Sequence, residues 1–367
     1  MNQTLALLLD AYRELNAKKL FWITLILSGV LCLIVLLIGR KGDSYQVLWF
    51  SGMSFGAGSS PEEFYVQNLF YIFGYKAWLT FGAGIIALVS TVGIFPEFIK
   101  DGSIDLVLSK PISRLRLFLM KWVSGLLFVF LQITVFTTAC FLAIGFRGGV
   151  WAFSIFWAIP LTVLFFSYLY SFAVLIGVLT RSTIAALILT MLLWAPIILV
   201  DFVERNMLLP MVVQLEYNEA ILDRDRIAAY SQIDQRIDPA TMQFEKMPEI
   251  NEALVQKDLD SLERVGGGWS GVQRWVYIVK TVLPKTGETT SYLTRFMYPE
   301  EFEADYLEDM EAGTVYGYGY EFDPELALEV KNKVENNRGP FWALGTSLLF
   351  ELVCLSLAAW KFCRRDY

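Results

Sequence analysis

Six stretches of this chain, roughly 20 to 39, 70 to 95, 117 to 145, 151 to 179, 184 to 203 and 341 to 360, stay apolar for about 20 residues or more, with neither strand nor amphipathic-helix periodicity. At ~1.5 Å of rise per residue, each is long enough to cross the ~30 Å hydrocarbon core of a bilayer. Lipid offers backbone amides no hydrogen-bond partner, so only helices or closed barrels can cross it. Runs such as "FWITLILSGVLCLIVLLIG" lack the alternation of a barrel strand. The expected fold is therefore an all-α polytopic membrane protein with six transmembrane helices. The first block begins at Phe21, and the "GRKGDSYQ" that follows it holds no small-residue cleavage site. It reads as a retained span and not a signal peptide.

Lys and Arg cluster before the first span, between the second and third, and after the sixth, and Arg181 separates the fourth from the fifth. In a six-span chain these four places share one side, and the positive-inside rule makes that side the cytoplasm, with both termini on it. Residues 204–338 then lie outside. They carry 26 acidic and 14 basic residues, a net of −12, against +5 for the rest of the chain. The segments "LPMVVQLEYNEAILDRDRIAAYSQIDQRI" and "MPEINEALVQKDLDSLERV" have helical periodicity, so this extracytoplasmic domain reads as mainly helical, with short strands near 313–322. The connection from 40 to about 66 reads as irregular, from its Gly and Ser content.

Histidine is absent, which removes the commonest general base and metal ligand; no metal site is expected. The four cysteines, Cys32, Cys140, Cys354 and Cys363, all lie in or beside spans, so no disulfide is expected to hold the outer domain. No phosphate-cradling glycine loop occurs in a plausible context; "GGGWSG" has no lysine. The chain is accordingly read as a non-enzyme with no cofactor of its own and no nucleic-acid partner.

One connector does not fit a plain loop. "DGSIDLVLSKPISRLRLFLMKW", 101–122, places six charged groups, a glycine and a proline between two apolar spans. Gly102 can end the helix that extends the second span, and Ser103 can cap a new short helix with Asp105 in its first turn. Ile104, Val107 and Leu108 then form an apolar ridge, Pro111 ends the helix, and Ser113 can cap the next one. A topological anchor would not need that second capped helix.

The stretch "PEFIKDGSIDLVLSKPISRLRLFLMKW" resembles the cytoplasmic loop of ABC transporter permeases of the type-2 family, the type V exporter fold. The resemblance extends to the N-terminal "YRELNAKKLFW", the order of six spans and the C-terminal "AWKFCRRDY". It implies a coupling helix, within the loop 96–116, docked on a separate cytoplasmic ATPase that binds ATP and magnesium. Glu97, Lys100, Asp101, Gly102, Asp105, Pro111 and Arg114 would belong to that contact. It further implies a second permease copy or a paralogue as partner, in a prokaryotic cytoplasmic membrane. The large outer segment departs from simpler family members.

Three further features stand out. Residues 1–19 carry Leu5, Leu8, Leu9, Tyr12 and Leu15 at helical spacing, which suits an amphipathic helix on the cytoplasmic membrane surface or one packed on the bundle. "VQRWVYIVKTVLP", 272–284, is apolar but too short to span; Trp275, Val276, Val279, Val282 and Leu283 share a face, and the stretch through Pro284 suits an outer interfacial helix or a core helix of the outer domain. Glu351 is an acid deep in the sixth span, either titrating or held neutral by groups such as Gln132, Thr134 or Thr137 of the third span.

The domain reading is thus 1–19, a cytoplasmic interface helix; 20–203, spans one to five; 204–338, the acidic outer domain; and 339–367, the sixth span with a basic tail. The expected function is the permease subunit of an ATP-driven exporter. The alternatives are an ATPase-driven mechanical device acting through the outer domain, and a proton-coupled secondary transporter using Glu351.

Overall fold

The computed structural model describes residues 19–41, 44–47, 54–55, 60–100, 113–204, 271–272, 274–297 and 340–364, with isolated positions at 212–213, 217, 220, 325–326 and 329–330. The amphipathic helix of 1–19, apart from Lys19, the ridge of the connector and the strands expected near 313–322 lie outside the described residues.

Among the described residues, six helices are long and apolar enough to cross a membrane: Lys19–Leu37, Phe64–Ile99, Arg114–Gly148, Phe153–Thr180, Thr183–Val203 and Phe341–Arg364. The second is wound as a π-helix over Glu63–Ala83 and as an α-helix over Gly84–Thr91, then turns at Val92 and Gly93 into a short helix, Ile94–Lys100. Trp22, Ile26, Val30 and Leu33 of the first span form an exposed apolar stripe that a water-soluble protein would bury. The fourth span is the central one, with 72% of its most apolar window buried against 28% for the first and sixth spans.

Three contacts fix the relative direction of the first and third spans. Phe21 meets Phe128 at 5.0 Å between ring centroids, Cys32 meets Cys140, and Arg147 Nε donates to the Ile38 carbonyl at 3.1 Å. The sequence offset stays nearly constant along the pair, so the two helices run parallel. The second span runs antiparallel to the first, because Tyr65 hydroxyl donates to Ile38 O at 2.9 Å and Trp78 Nε1 to Ser28 Oγ at 2.9 Å. The third and sixth are also antiparallel: Arg114 bonds to the Cys363 carbonyl, while Phe118 packs on Phe362. The start of the first span and the end of the sixth therefore belong to the same end of the bundle, as an even number of crossings requires.

The connection after the first span is more regular than its Gly and Ser content suggests. Ile38–Lys41, Ser44–Val47 and Ser54–Phe55 form a three-stranded antiparallel sheet in the order β1-β2-β3, with Ile38 paired to Val47 and Tyr45 to Phe55. A two-residue link between the first two strands suffices for a hairpin, and the β-favouring residues Ile38, Tyr45, Val47 and Phe55 supply the pairs.

The chain forms two compact units, one of residues 1–197, 283–298 and 344–367, the other of 198–282 and 299–343. In the first, helix Thr286–Met297 packs on the fourth span, with Phe296 stacked on Trp157 at 4.8 Å. Residues 283–298 thus fold with the spans and not with the rest of 204–338.

Third and fourth spans approach closely at Gly125, where an added Cβ would stand 2.5 Å from the hydroxyl oxygen and 2.7 to 2.8 Å from the ring of the fully buried Tyr170. Gly125→Val should lower thermal stability by about 1–3 kcal/mol through overpacking. Thermal unfolding of the purified protein in one detergent measures the difference.

Candidate functional site

The expected coupling loop lies between the helices Ile94–Lys100 and Arg114–Gly148. The helix Ile94–Lys100 carries Glu97 in its first turn, with the side chain exposed. Ser113, in extended conformation, caps the third span by accepting from Arg116 N at 3.4 Å, as its position after Pro111 predicts. Arg114 does not extend into solvent: its guanidinium donates to the Cys363 carbonyl at 3.1 Å, at the carbonyl-rich end of the sixth span. Around it, Phe95, Phe118 and Phe362 form an aromatic knot with centroids 5.0, 5.7 and 6.3 Å apart. Lys121 Nζ lies 5.0 Å over the Phe98 ring, a second link from the short helix to the third span. Residues 101–112, with Asp101, Gly102, Ile104, Asp105, Val107, Leu108 and Pro111, lie outside the described residues, and so does the side chain of Lys100.

The second cluster surrounds Glu351. The sixth span turns Ser347, Glu351, Cys354, Ala358 and Phe362 inward at spacings of three and four, and its Leu349, Leu352, Val353 and Leu357 outward. Glu351 is 6% exposed. Its Oε2 accepts from Ser167 Oγ of the fourth span at 2.9 Å. The expected partners on the third span do not supply this bond, because the inward stripe of the sixth span faces the fourth at this level. Thr134 instead donates to the Phe130 carbonyl at 2.7 Å. Gln132 lines a small cavity with Ser28, Thr162, Phe165 and other residues of the first four spans.

Beyond Ser167, the Tyr168 hydroxyl is fully buried among Thr289, Ser347 and Glu351. Helix Thr286–Met297 is seated there: Lys285 N donates to Ser347 Oγ at 2.9 Å, and Thr289 Oγ1 donates to the Lys285 carbonyl at 2.8 Å. One hydroxyl of the fourth span therefore bonds the carboxyl, while hydroxyls of the sixth span and of this helix lie about the neighbouring Tyr168. Sequence reasoning singled out the carboxyl but missed the hydroxyls. Serine and threonine are common in spans, where they bond their own helix at i−4, and only tertiary contact separates these from the rest.

The second compact unit contains most of the segment expected to be an outer interfacial helix or a core helix. Residues 274–282 are helical, and Trp275, Ile278, Val279 and Val282 form an apolar exposed face, with Trp275 and Val282 at 70% and 71%. Val276, expected on that face, is half-buried, because successive turns advance it toward the opposite side. The inner face is polar. Lys280 Nζ stands 2.6 Å from Asp201 Oδ1 and 2.5 Å from Glu204 Oε2, with all three side chains buried. Tyr277 stacks on Trp342 at 4.7 Å, and Trp342 Nε1 donates to Thr281 Oγ1 at 3.3 Å. Pro284, in the first unit, is buried.

No family model matches the chain, and no curated protein or solved structure matches it.

Lys280→Met keeps the length of the stem but removes the ammonium that two buried carboxylates share. It should destabilise the protein by about 3–5 kcal/mol, and Asp201→Asn in the same chain should recover part of the loss. Thermal melts of the single and double variants give the comparison.

Proposed function

We propose that this chain is the membrane-spanning permease subunit of an ATP-driven exporter, coupled through residues 96–116 to a separate ATPase that binds ATP and magnesium. The observation that carries the reading is the aromatic knot at one bundle end. Phe95 lies before the connector, Phe118 after it and Phe362 on the last span, and Arg114 adds a hydrogen bond to the Cys363 carbonyl. A displacement of the connector would be passed at once to the second, third and sixth spans, because packed aromatic rings shift together. The capped, apolar-ridged helix read in 101–112 gives such a displacement a handle.

In this reading the knotted end faces the cytoplasm, both termini lie there, and the membrane is the cytoplasmic membrane of a prokaryote. A second copy or a paralogue completes the pathway. ATP hydrolysis takes place in the partner, so the chain contributes motion and a path, with no catalytic group of its own.

A second reading, proton-coupled transport, draws on the burial of Glu351 beside Ser167. Glu351→Gln separates the two. Gln keeps the shape and can still accept from Ser167, so ATP-driven activity should stay largely intact in the permease reading, whereas a proton carrier would lose transport at normal assembly.

The connector itself is tested by Val107→Asp with Leu108→Asp. Placing charge on a ridge buried against the ATPase should cost several kcal/mol and release the partner or leave its hydrolysis uncoupled. Co-purification of the ATPase, beside a measurement of membrane insertion, reads the outcome. Normal insertion, a retained ATPase and full substrate-stimulated turnover would overturn the assignment.

A further inference from the structure

Cys32 and Cys140 sit on different spans, 108 positions apart, with their sulfurs 3.3 Å from each other. The parallel run of the first and third spans brings them together. Cys32 Sγ also lies 3.9 Å from the Phe136 carbonyl, one turn before Cys140. Both are free and buried, and neither takes part in the aromatic knot or the Glu351 cluster. The other two cysteines, Cys354 and Cys363, are on the sixth span. Disulfide sulfurs stand ~2.05 Å apart, so bond formation asks these two to close by about 1.3 Å.

Depth decides what could oxidise them. Cys32 lies about 20 Å along the first span from Lys19, within a ~30 Å hydrocarbon core. Its neighbours Leu33, Ile34 and Leu36 are exposed on the outer surface of the bundle, where acyl chains would run. An oxidant that reaches this thiol must dissolve in lipid.

We propose that Cys32 and Cys140 are an oxidisable dithiol, which an organic hydroperoxide dissolved in the bilayer converts to a disulfide stapling the first span to the third. The Cys32 sulfur takes the terminal oxygen of the hydroperoxide. The O–O bond breaks, Cys32 becomes a sulfenic acid, and its thiol proton leaves on the alcohol. The Cys140 sulfur then attacks the sulfenyl sulfur. The S–S bond forms, the S–O bond breaks, and the hydroxyl departs as water with the Cys140 proton. Two thiols are oxidised by two electrons in all, and one hydroperoxide is reduced to one alcohol and one water. Cys32 reacts first because it is on the more lipid-exposed span.

The test uses the full chain in lipid nanodiscs, with Cys354→Ser and Cys363→Ser to leave only the pair. After exposure to cumene hydroperoxide, the protein is denatured in detergent and its thiols are counted by the gel shift of a polymer-tagged maleimide. Two tags before treatment, none after it and two again after dithiothreitol is the expected result. Adding Cys140→Ser should leave Cys32 to be trapped by dimedone as a sulfenic acid, adding Cys32→Ser should leave the Cys140 thiol largely unreacted, and neither variant should form an intrachain disulfide. Peptide mass mapping of the treated wild-type chain should show the Cys32 and Cys140 peptides joined, which keeps the test open if the serine variants fold poorly. Two tags surviving treatment, a loss that dithiothreitol does not reverse, or a wild-type map without the joined peptides would overturn the proposal.

Discussion

A peptide group left without a partner in hydrocarbon costs several kcal/mol, and every other choice in this chain is made under that penalty. It forces the six apolar blocks into helices before any tertiary contact forms. It also removes the hydrophobic effect as the force between them, because lipid tails are as apolar as the spans. What remains is packing, aromatic contact and a limited set of hydrogen bonds, so the helices are joined where such groups occur. The small stripe of Gly125 against Tyr170, the knot of Phe95, Phe118 and Phe362, and the bond from Ser167 to Glu351 are joints of this kind.

Much of the framework was legible in the sequence for the same reason. Six apolar runs appear as six helices, and Ser113 caps the third where the residue after Pro111-Ile112 predicts a start. The partners were not legible. Nothing in "SLLFELVCL" says that Glu351 meets the fourth span and not the third, since the choice depends on how the sixth span rotates about its axis. The small sheet of Ile38–Lys41, Ser44–Val47 and Ser54–Phe55 was not legible, because glycine and serine content masks a register set by a few β-favouring residues. Arg114 was legible as a charge at the connector, but its acceptor, the carbonyl of Cys363, lies at the far end of the chain.

The fourth span shows how the two clusters relate within the first unit. As the most buried of the six, it carries Ser167 and Tyr168 toward the sixth span and helix Thr286–Met297, while its Phe165 reaches the fifth span at Trp194. The sixth span carries both Glu351 and Phe362 on one inward stripe. Eleven residues of helix, ~16 Å, separate the carboxyl from the knot. A rigid helix with polar contacts at one level and aromatic contacts at another can move as a lever only if both sets give way together. The polar set is the softer, because hydroxyls can exchange partners whereas interlocked rings cannot.

The helix 274–282 reverses the usual order of a surface helix, with ions inward and apolar side chains outward. In water that arrangement loses twice, since Trp275, Ile278, Val279 and Val282 stay hydrated while Lys280, Asp201 and Glu204 are desolvated. Against lipid the first loss vanishes. The second is offset by the close approach of Lys280 to both carboxylates and by the stacking of Tyr277 on Trp342. The same sequence that makes this a poor helix in water would suit the edge of a bilayer, where its apolar face needs no hydration.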